Sequence, residues 1–346
     1  MKRLLSIWVL LLGVVLYAPA PERAAFGVPD VVRVRLFSTS QPSEIRVTTA
    51  EGQRFLIDAH QTTSLFRSKG PITLQTAGGK PIPLQYPLEV TADHGVLVIV
   101  NEIPFEEYVA AVLAGEASNF RSDESLKAMA VAVRSYAVHF LNRHQKEAFN
   151  FCDTTHCQDF RITAVTDRLR KSAKDTRGQV LMYDGQPITA YYHKDCGGMT
   201  EARGPYLQQV NDRFCVSDGR KRWSAELTAA DVKSVLGVNG ASAIEITERS
   251  NSGRAQRLRI TGAGTSVVNA ETFRLEVGRK LGWDRIRSDL YEIHNSGGRF
   301  LFEGYGEGHG IGLCQDGAAV MGEQGFTYEQ ILAYYYTNTQ LSHLGI

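Results

Sequence analysis

One block of helical periodicity, residues 104–144, lies between regions that have strand patterns, and this order constrains the fold more than any other feature. Two apolar faces recur there at helical spacing: Phe105, Tyr108, Val109, Val112 and Leu113, then Leu126, Met129, Ala130, Val133, Ala137 and Phe140. Pro104 suits a first helical turn, and Gly115 ends the first helix. Ser122 caps the second helix. The expected fold class is therefore α+β, a β-rich body with an inserted helical pair.

The regions on either side of the helical block have the patterns of strands. Residues 31–36 and 44–47 alternate apolar and charged side chains, and residues 96–100 form a short apolar run. Residues 179–183 and 187–193 flank an Asp-Gly pair, which favours a hairpin.

The region after the hairpin is less informative. Residues 225–295 contain one short predicted helix, residues 227–236, and strands such as residues 243–247, but they carry no chemical motif. A final helix is predicted over residues 327–336.

The N-terminus has the pattern of an export signal. Lys2 and Arg3 precede an apolar run, residues 4–17, which is followed by Ala-Pro-Ala. The run is shorter than the roughly 20 apolar residues that a membrane-spanning helix needs. Because a proline follows the tripeptide, we expect cleavage near residues 24–25, or an uncleaved membrane anchor. The rest of the chain would then be extracytoplasmic, either secreted, periplasmic or anchored.

The charge pattern argues against a nucleic-acid partner. The 346 residues carry a formal net charge of +1, with no basic stripe. The glycine-rich segment near residue 310 lacks the Gly-Lys-Ser/Thr ending of a phosphate-binding loop, and no organic cofactor is expected. Near neutrality suits a substrate that is bound through hydroxyl and amide groups.

Four of the metal-type side chains lie close together in the sequence: His144, Cys152, His156 and Cys157. Two histidines and two cysteines form a closed tetrahedral zinc set, which would be structural rather than catalytic. A Cys152–Cys157 disulfide with two uninvolved histidines is the competing interpretation.

Four motifs carry the remaining chemistry. They are Ala114-Gly-Glu116, the helical run 128–137 with Arg134, Tyr192-His193 with Cys196-Gly-Gly198, and the glycine-rich turn 308–318 with His309 and Gln315. Their order and spacing resemble the stage II sporulation protein D (SpoIID/LytB) family, whose enzymes cut the glycan strands of peptidoglycan. The resemblance extends over about residues 96–341. The chain departs from the family at Cys314, where Ser is usual, and at Asp316, where Tyr is frequent.

The resemblance implies a peptidoglycan lytic transglycosylase, which cleaves between N-acetylmuramic acid and N-acetylglucosamine and leaves 1,6-anhydro ends. Its domains would be residues 1–25 as signal or anchor, residues 30–95 as a β-rich module, and residues 96–345 as the catalytic domain, with 225–295 unassigned. Glu116 would be the single acid/base, because the substrate's own C6 hydroxyl is the nucleophile and no second carboxylate is needed. Glycan strands stripped of stem peptides are the implied substrate. Some members of the family bind zinc near residues 144–157.

The same resemblance suggests roles for the remaining polar residues. Arg134 would be a substrate or electrostatic anchor, with a structural ion pair as the alternative, and His193, His309 and Gln315 would bind sugar groups. Cys196 and Cys215 lie outside the zinc set and are expected to form a disulfide in an oxidising compartment, which leaves Cys314 as a buried thiol.

Three rival functions remain open. One is a non-catalytic glycan-binding partner that activates a cell-wall amidase. A zinc peptidase using His309 is disfavoured, because the sequence has no His-Glu-x-x-His helix. The third is a purely structural envelope protein.

Overall fold

The structure, a computed structural model, describes residues 27–60 and 65–345. The predicted export signal lies outside the described residues. The structure contains strand-rich regions on both sides of a helical pair, so the predicted α+β class is confirmed. No helix in the two described ranges combines the length and the apolar character required to cross a bilayer.

Two sheets form the N-terminal part. Their strands are β1 (Val31–Leu36), β2 (Glu44–Thr49), β3 (Arg54–Asp58), β4 (Phe66–Ser68), β5 (Ile72–Thr76), β6 (Ile82–Leu84), β7 (Leu88–Asp93), β8 (Val96–Pro104) and the later β9 (Phe151–Cys152). The strand orders are β3-β2-β5-β6 and β4-β7-β8-β1-β9. In the antiparallel β1–β8 pair, Val32 lies opposite Ile103, and both are completely buried. The alternation read from residues 31–36 therefore places one face of β1 in the core, as predicted.

The helical pair follows β8 directly. Its members are α1 (Phe105–Glu116) and α2 (Asp123–His139). Ser122 caps α2 by accepting a hydrogen bond from the backbone N–H of Glu124, as predicted. The predicted block was too long at its end, because α2 stops at His139 and residues 145–147 form only a short 3₁₀ turn.

A third helix and a hairpin lead back across the core. A 3₁₀ turn (Ile162–Ala164) precedes α3 (Asp167–Asp175), and the hairpin strands are β10 (Gln179–Tyr183) and β11 (Gln186–Pro187). A further short strand, β12 (Tyr192–His193), follows. Asp184 and Gly185 both have positive φ, 47° and 70°, and join the antiparallel strands β10 and β11. The hairpin predicted from this Asp-Gly pair is confirmed, but its second predicted strand, residues 187–193, is wrong in extent. Only β11 pairs with β10, and β12 belongs to a different sheet.

The unassigned region forms a second hydrophobic core of its own. Its elements are β13 (Arg222–Thr228), α4 (Ala229–Leu236), β14 (Ala243–Arg249), β15 (Ala255–Thr261), β16 (Thr265–Asn269), α5 (Ala270–Leu281), β17 (Tyr291–Ser296) and β18 (Arg299–Tyr305). The strands pair as β13-β18-β17 and β14-β15-β16. Phe273, Phe300 and Phe302 are completely buried at its centre. The predicted helix 227–236 is present but begins at Ala229, because Thr228 is its cap.

The C-terminal segment returns to the first core. It contains β19 (Leu313–Cys314), α6 (Gln315–Glu323), α7 (Tyr328–Tyr335) and β20 (Gln340–His343). The predicted final helix is confirmed, with Thr327 as its cap. β19 pairs in parallel with β12, so that His193 lies beside Cys314. The second half of the predicted glycine-rich turn is helical, because α6 begins at Gln315.

Candidate active site

A cleft of about 540 Å³ brings together residues from both hydrophobic cores. Glu116 and Tyr192 line it from the first core, and Arg274, Trp283 and Arg287 line it from the second. Concave sites with a few converging polar groups are typical of ligand binding.

Glu116 is the last residue of α1, and both of its carboxylate oxygens are hydrogen-bonded. Oε1 accepts from the backbone N–H of Asp159 at 3.0 Å, and Oε2 accepts from Nε2 of Gln315 at 3.3 Å. Two motifs that are far apart in the sequence thus meet at one carboxyl group.

Gly115 allows this arrangement. A Cβ at residue 115 would come within 2.2 Å of the carbonyl oxygen of Asp159, which is backbone and cannot yield cheaply. The absence of a side chain lets the loop that carries Asp159 lie against the end of α1. The glycine in Ala-Gly-Glu therefore has a packing role beside the acid.

Burial raises the pKa of the Glu116 carboxyl above its ordinary value. The neighbouring charge of Asp159 acts in the same direction, while the hydrogen bonds from the Asp159 N–H and from Gln315 act against it. Burial disfavours the charged form of a carboxyl group, so Glu116 holds a proton more readily than an exposed glutamate does. This is the property that a general acid requires.

Two histidines, the buried His193 and the half-buried His309, lie in the cleft with ring centroids 5.6 Å apart. Nδ1 of His193 lies 3.0 Å from the carbonyl oxygen of Ile311 and so carries the proton, which leaves Nε2 as an acceptor. This Nε2 is buried and has no hydrogen-bond partner among the described residues. Nδ1 of His309 accepts from the N–H of Ile311 at 3.0 Å, so that its Nε2 is the donor. Burial, reinforced by the charge of Arg254, lowers the pKa of His193 to about 3, and burial also lowers that of His309. The neutral pair presents one acceptor and one donor.

Arg134 does not lie in the cleft. Its side chain is completely buried and pairs with Glu106 through Nη2–Oε2 at 2.6 Å and Nε–Oε1 at 3.0 Å. It also donates to the carbonyl oxygens of Ala173 and Gln179 at 2.9 Å and 3.2 Å. The predicted substrate anchor is thus replaced by the alternative, a structural ion pair, because every donor direction is used inside the core.

The sequence analysis assigned no role in the site to three polar residues near the acid. The hydroxyl of Tyr108 donates to Oε1 of Gln158 at 2.9 Å, and Nε2 of Gln158 donates to the hydroxyl of Tyr192 at 2.8 Å. The hydroxyl proton of Tyr192 is then free to point into the cleft. The position of Gln158 immediately after Cys157 was the available signal, because a metal-type loop fixes the residues that follow it.

The four predicted zinc ligands lie together: His144, Cys152, His156 and Cys157 offer ligand atoms within 4.8 Å of one another. Sγ of Cys157 lies 3.4 Å from Nε2 of His144 and 3.5 Å from Sγ of Cys152, and Sγ of Cys152 lies 3.6 Å from Nδ1 of His156. Tetrahedral zinc, with bonds of about 2.0–2.3 Å, would separate its ligand atoms by roughly 3.3–3.8 Å. The observed spacing fits that shell and exceeds an S–S bond of about 2.05 Å.

Glu147 supports this cluster from outside. Its carboxylate contacts Nδ1 of His144, which directs Nε2 of that ring at Cys157. A carboxylate behind a ligating histidine is the usual way in which proteins fix the ring and its tautomer.

The predicted disulfide between Cys196 and Cys215 is not formed in the structure, where both are free, buried thiols. They share a buried cluster with Cys314 and Asp212. The predicted burial of the Cys314 thiol is observed.

Comparison with known proteins adds two family matches. The family model of the stage II sporulation protein (SpoIID) matches residues 93–183. A family described only as a domain of unknown function (DUF8618) matches residues 207–312, which include the second core.

Three relatives place these matches in context. Stage II sporulation protein D of Bacillus subtilis (strain 168) is 29% identical over 301 residues, 80% of this chain and 82% of the relative. An uncharacterized protein of Brachyspira hyodysenteriae is 29% identical over 71% of this chain and 68% of its own length. The amidase enhancer of B. subtilis is 28% identical over 63% of this chain, but only 38% of that longer protein is covered.

Proposed function

The chain belongs to the stage II sporulation protein D family, and from this premise we propose that it remodels the bacterial cell wall as a peptidoglycan lytic transglycosylase. It would break the bond between N-acetylmuramic acid and N-acetylglucosamine without water. The observation that carries the proposal is Glu116, a half-buried carboxyl with a raised pKa that lines the cleft. Glu307, the other carboxyl residue among those that line the cleft, is exposed.

In the proposed reaction, Glu116 acts twice. Protonated Glu116 gives its proton to the glycosidic oxygen, and the bond from that oxygen to the anomeric carbon of N-acetylmuramic acid breaks. The resulting carboxylate then takes the proton of the muramic C6 hydroxyl, whose oxygen bonds to the anomeric carbon. The proton count balances, and the product ends in a 1,6-anhydro ring.

The hydrogen bonds at Glu116 suit both halves of this cycle. The donors from Asp159 and Gln315 stabilise the carboxylate once it has given up its proton. Each oxygen keeps a lone pair that is not used by these donors, so one of them can carry the acidic proton. Burial favours protonated Glu116 and the hydrogen bonds favour its carboxylate, so the free-energy difference between the two protonation states stays small.

The two histidines would bind the polar groups of the sugar. The unpartnered Nε2 of His193 can accept from a hydroxyl or an acetamido N–H, and Nε2 of His309 can donate to an oxygen. A buried acceptor without a partner costs free energy until a ligand donor reaches it. These two groups, with Gln315, are the proposed substrate-binding residues.

The second core would supply the opposite wall. Trp283 is 57% exposed and lines the cleft. Its ring packs over Gly278, where a Cβ would come within 2.3 Å of its Cε3. An exposed indole that is held in one orientation offers a flat apolar surface to a sugar ring. A wall of this kind suits an extended glycan strand, and we propose strands stripped of stem peptides as the substrate.

We propose zinc as the metal of the first cluster, bound by His144, Cys152, His156 and Cys157. When bound, the ion would supply structural cross-linking, since four protein ligands leave no open position for chemistry. Asp159 follows the last ligand after one residue, so the metal would also hold the N–H that contacts Glu116.

The remaining parts of the proposal concern the place of action. Cell-wall substrates and the export pattern of residues 1–25 both favour an extracytoplasmic protein, secreted or anchored. The similarity to an amidase enhancer supports a second candidate function, a glycan-binding activator of a cell-wall amidase.

Digestion of purified glycan strands separates the two candidates. Wild type should release fragments with anhydro ends, identified by mass, and Glu116→Gln should be slower by about a hundred- to ten-thousandfold. Glu307→Gln is the matched control, because it changes an exposed carboxyl in the same cleft.

Each outcome has a separate meaning. Cleavage by Glu116→Gln at the wild-type rate would refute the assignment of the acid. Reducing ends in place of anhydro ends would indicate a hydrolase. If neither wild type nor Glu116→Gln cleaves glycan and both stimulate an amidase, the second candidate function, the amidase activator, would be established instead.

A further inference from the structure

A second group of metal-type ligands lies away from the four residues of the first cluster. Cys196, Asp212, Cys215 and Cys314 offer ligand atoms that all lie within 4.8 Å of one another, and the four side chains are buried. We propose that these residues bind a second structural divalent metal ion, zinc in the first instance, through three thiolates and one carboxylate.

The donor set fits such an ion. Sulfur ligands with one carboxylate oxygen suit zinc, and four protein ligands make a closed tetrahedral site. The ligand atoms lie no more than 4.8 Å apart, and Sγ of Cys196 lies 3.3 Å from Oδ2 of Asp212, which is within the roughly 3.3–3.8 Å of a tetrahedral zinc shell. Burial keeps competing water out.

Asp212 is held in position by contacts that leave one of its oxygens facing the thiols. Its Oδ1 accepts from the backbone N–H groups of Phe214 and Cys215 at 3.1 Å and 3.0 Å. Its Oδ2 accepts from the hydroxyl of Tyr335 at 2.8 Å and lies 3.3 Å from Sγ of Cys196. Supporting hydrogen bonds of this kind orient a ligating carboxylate.

Gly317 and Arg254 complete the surroundings. A Cβ at residue 317 would lie 2.5 Å from Oδ2 of Asp212, so glycine keeps that side of the carboxylate free. Arg254 is 1% exposed, and its Nη2 donates to the carbonyl oxygen of Cys196 at 2.7 Å. Three thiolates and a carboxylate would exceed the charge of a divalent ion by two, and this buried cation offsets part of the excess.

A metal accounts for all three thiols, whereas a disulfide accounts for two. A Cys196–Cys215 bond would leave Cys314 as a buried thiol with no covalent or metal partner. The ligands also come from three separate segments: the loop after β12, the loop of residues 211–218, and β19. A shared ion would lock these segments together and fix Gln315, which directly follows Cys314 and contacts Glu116.

Metal content per chain tests the proposal on the full chain, purified without chelator. Cys314→Ser should contain about one zinc fewer than wild type, and the exposed loop variant Ser217→Ala should lose none. Cys157→Ser, in the first cluster, should not change the loss that Cys314→Ser causes. The difference in zinc content between Cys314→Ser and wild type can be measured whether or not the first cluster binds zinc. The measurement does not depend on glycan cleavage.

Two results would overturn the second site. One is equal zinc in wild type and Cys314→Ser. The other is a non-reducing peptide map in which Cys196 and Cys215 are joined in wild type. If Cys314→Ser does not fold, cobalt loading of Cys157→Ser decides: sulfur-to-cobalt charge-transfer absorption supports the site, and its absence refutes it.

Discussion

The ion pair between Arg134 and Glu106 offers the sharpest separation of structure from catalysis. Glu106 lies in the first turn of α1, whose last residue is Glu116, and Arg134 lies on α2. The pair therefore fixes α1 against α2, far along the helix from the acid. If this is its role, substitution should lower stability and leave the chemistry of the folded fraction intact.

The structure sets the size of the expected effect. Removal of one partner from a buried pair costs about 3–5 kcal/mol, because the other charge is left uncompensated. Water reaches Glu106, whose side chain is 22% exposed, but not Arg134, which is 0% exposed. Arg134→Met leaves the partly hydrated carboxylate of Glu106 without its partner, and it should lower the free energy of unfolding by about 3 kcal/mol. Glu106→Leu leaves the fully buried guanidinium of Arg134 without its partner, and it should lower the free energy of unfolding by more than Arg134→Met does.

The assay is a double-mutant cycle measured by denaturant unfolding. The double variant Arg134→Met/Glu106→Leu should be more stable than the sum of the single losses predicts, with a coupling of roughly 0.5–3 kcal/mol. Glycan cleavage by the folded fraction should keep the wild-type KM. Unchanged stability together with a raised KM in Arg134→Met would refute the structural role and restore the predicted substrate anchor.

Three further outcomes follow from the cleft. Gln315→Ala removes a hydrogen bond that lowers the pKa of Glu116, so that pKa should rise. Because the proposed mechanism uses protonated Glu116 as the acid, the alkaline limb of kcat/KM should then move to higher pH. A limb that stays in place or moves to lower pH contradicts the assignment. Trp283→Ala should raise KM by about two- to tenfold, from roughly 0.5–1.5 kcal/mol of lost stacking, with kcat little changed; an equal loss in kcat would mean that the ring acts on the acid site instead. Cys157→Ser should abolish zinc binding at the first cluster and lower the midpoint of unfolding more than it alters the chemistry, and a wild-type zinc content would contradict the proposed ligand set.

Local patterns predicted much of the first core. The alternation in residues 31–36, the apolar run near residue 96 and the Asp184-Gly185 turn each depend on neighbouring residues only, and each is present as expected. The end of α2 was missed because helix termini depend on the contacts of the following loop. The independent packing of residues 223–302 could not be read from the sequence, because short strand patterns do not say which strands share a core.

The zinc-type cluster was predicted from its own residue types, whereas Glu116 was identified only through a resemblance. Nothing in the neighbourhood of Glu116 in the sequence shows that Asp159 and Gln315 reach its oxygens, since both contacts are long-range. Arg134 shows the opposite error: its position in a motif suggested substrate binding, while its burial could be known only from the packed helices. Trp283 likewise becomes visible as a cleft residue only when the two cores are brought together.

The position of the acid at the end of α1 has an electrostatic consequence. The carbonyl groups of a final helical turn point outward and carry a partial negative charge, equivalent to about half an elementary charge. The last turn of α1 contains no basic residue to offset it. The backbone itself therefore repels a proton-free Glu116, by roughly 0.3–1 kcal/mol, in addition to the effect of burial. A helix that stops at the proposed acid therefore acts as a fixed dipole, and this dipole makes the acid weaker than burial alone would make it.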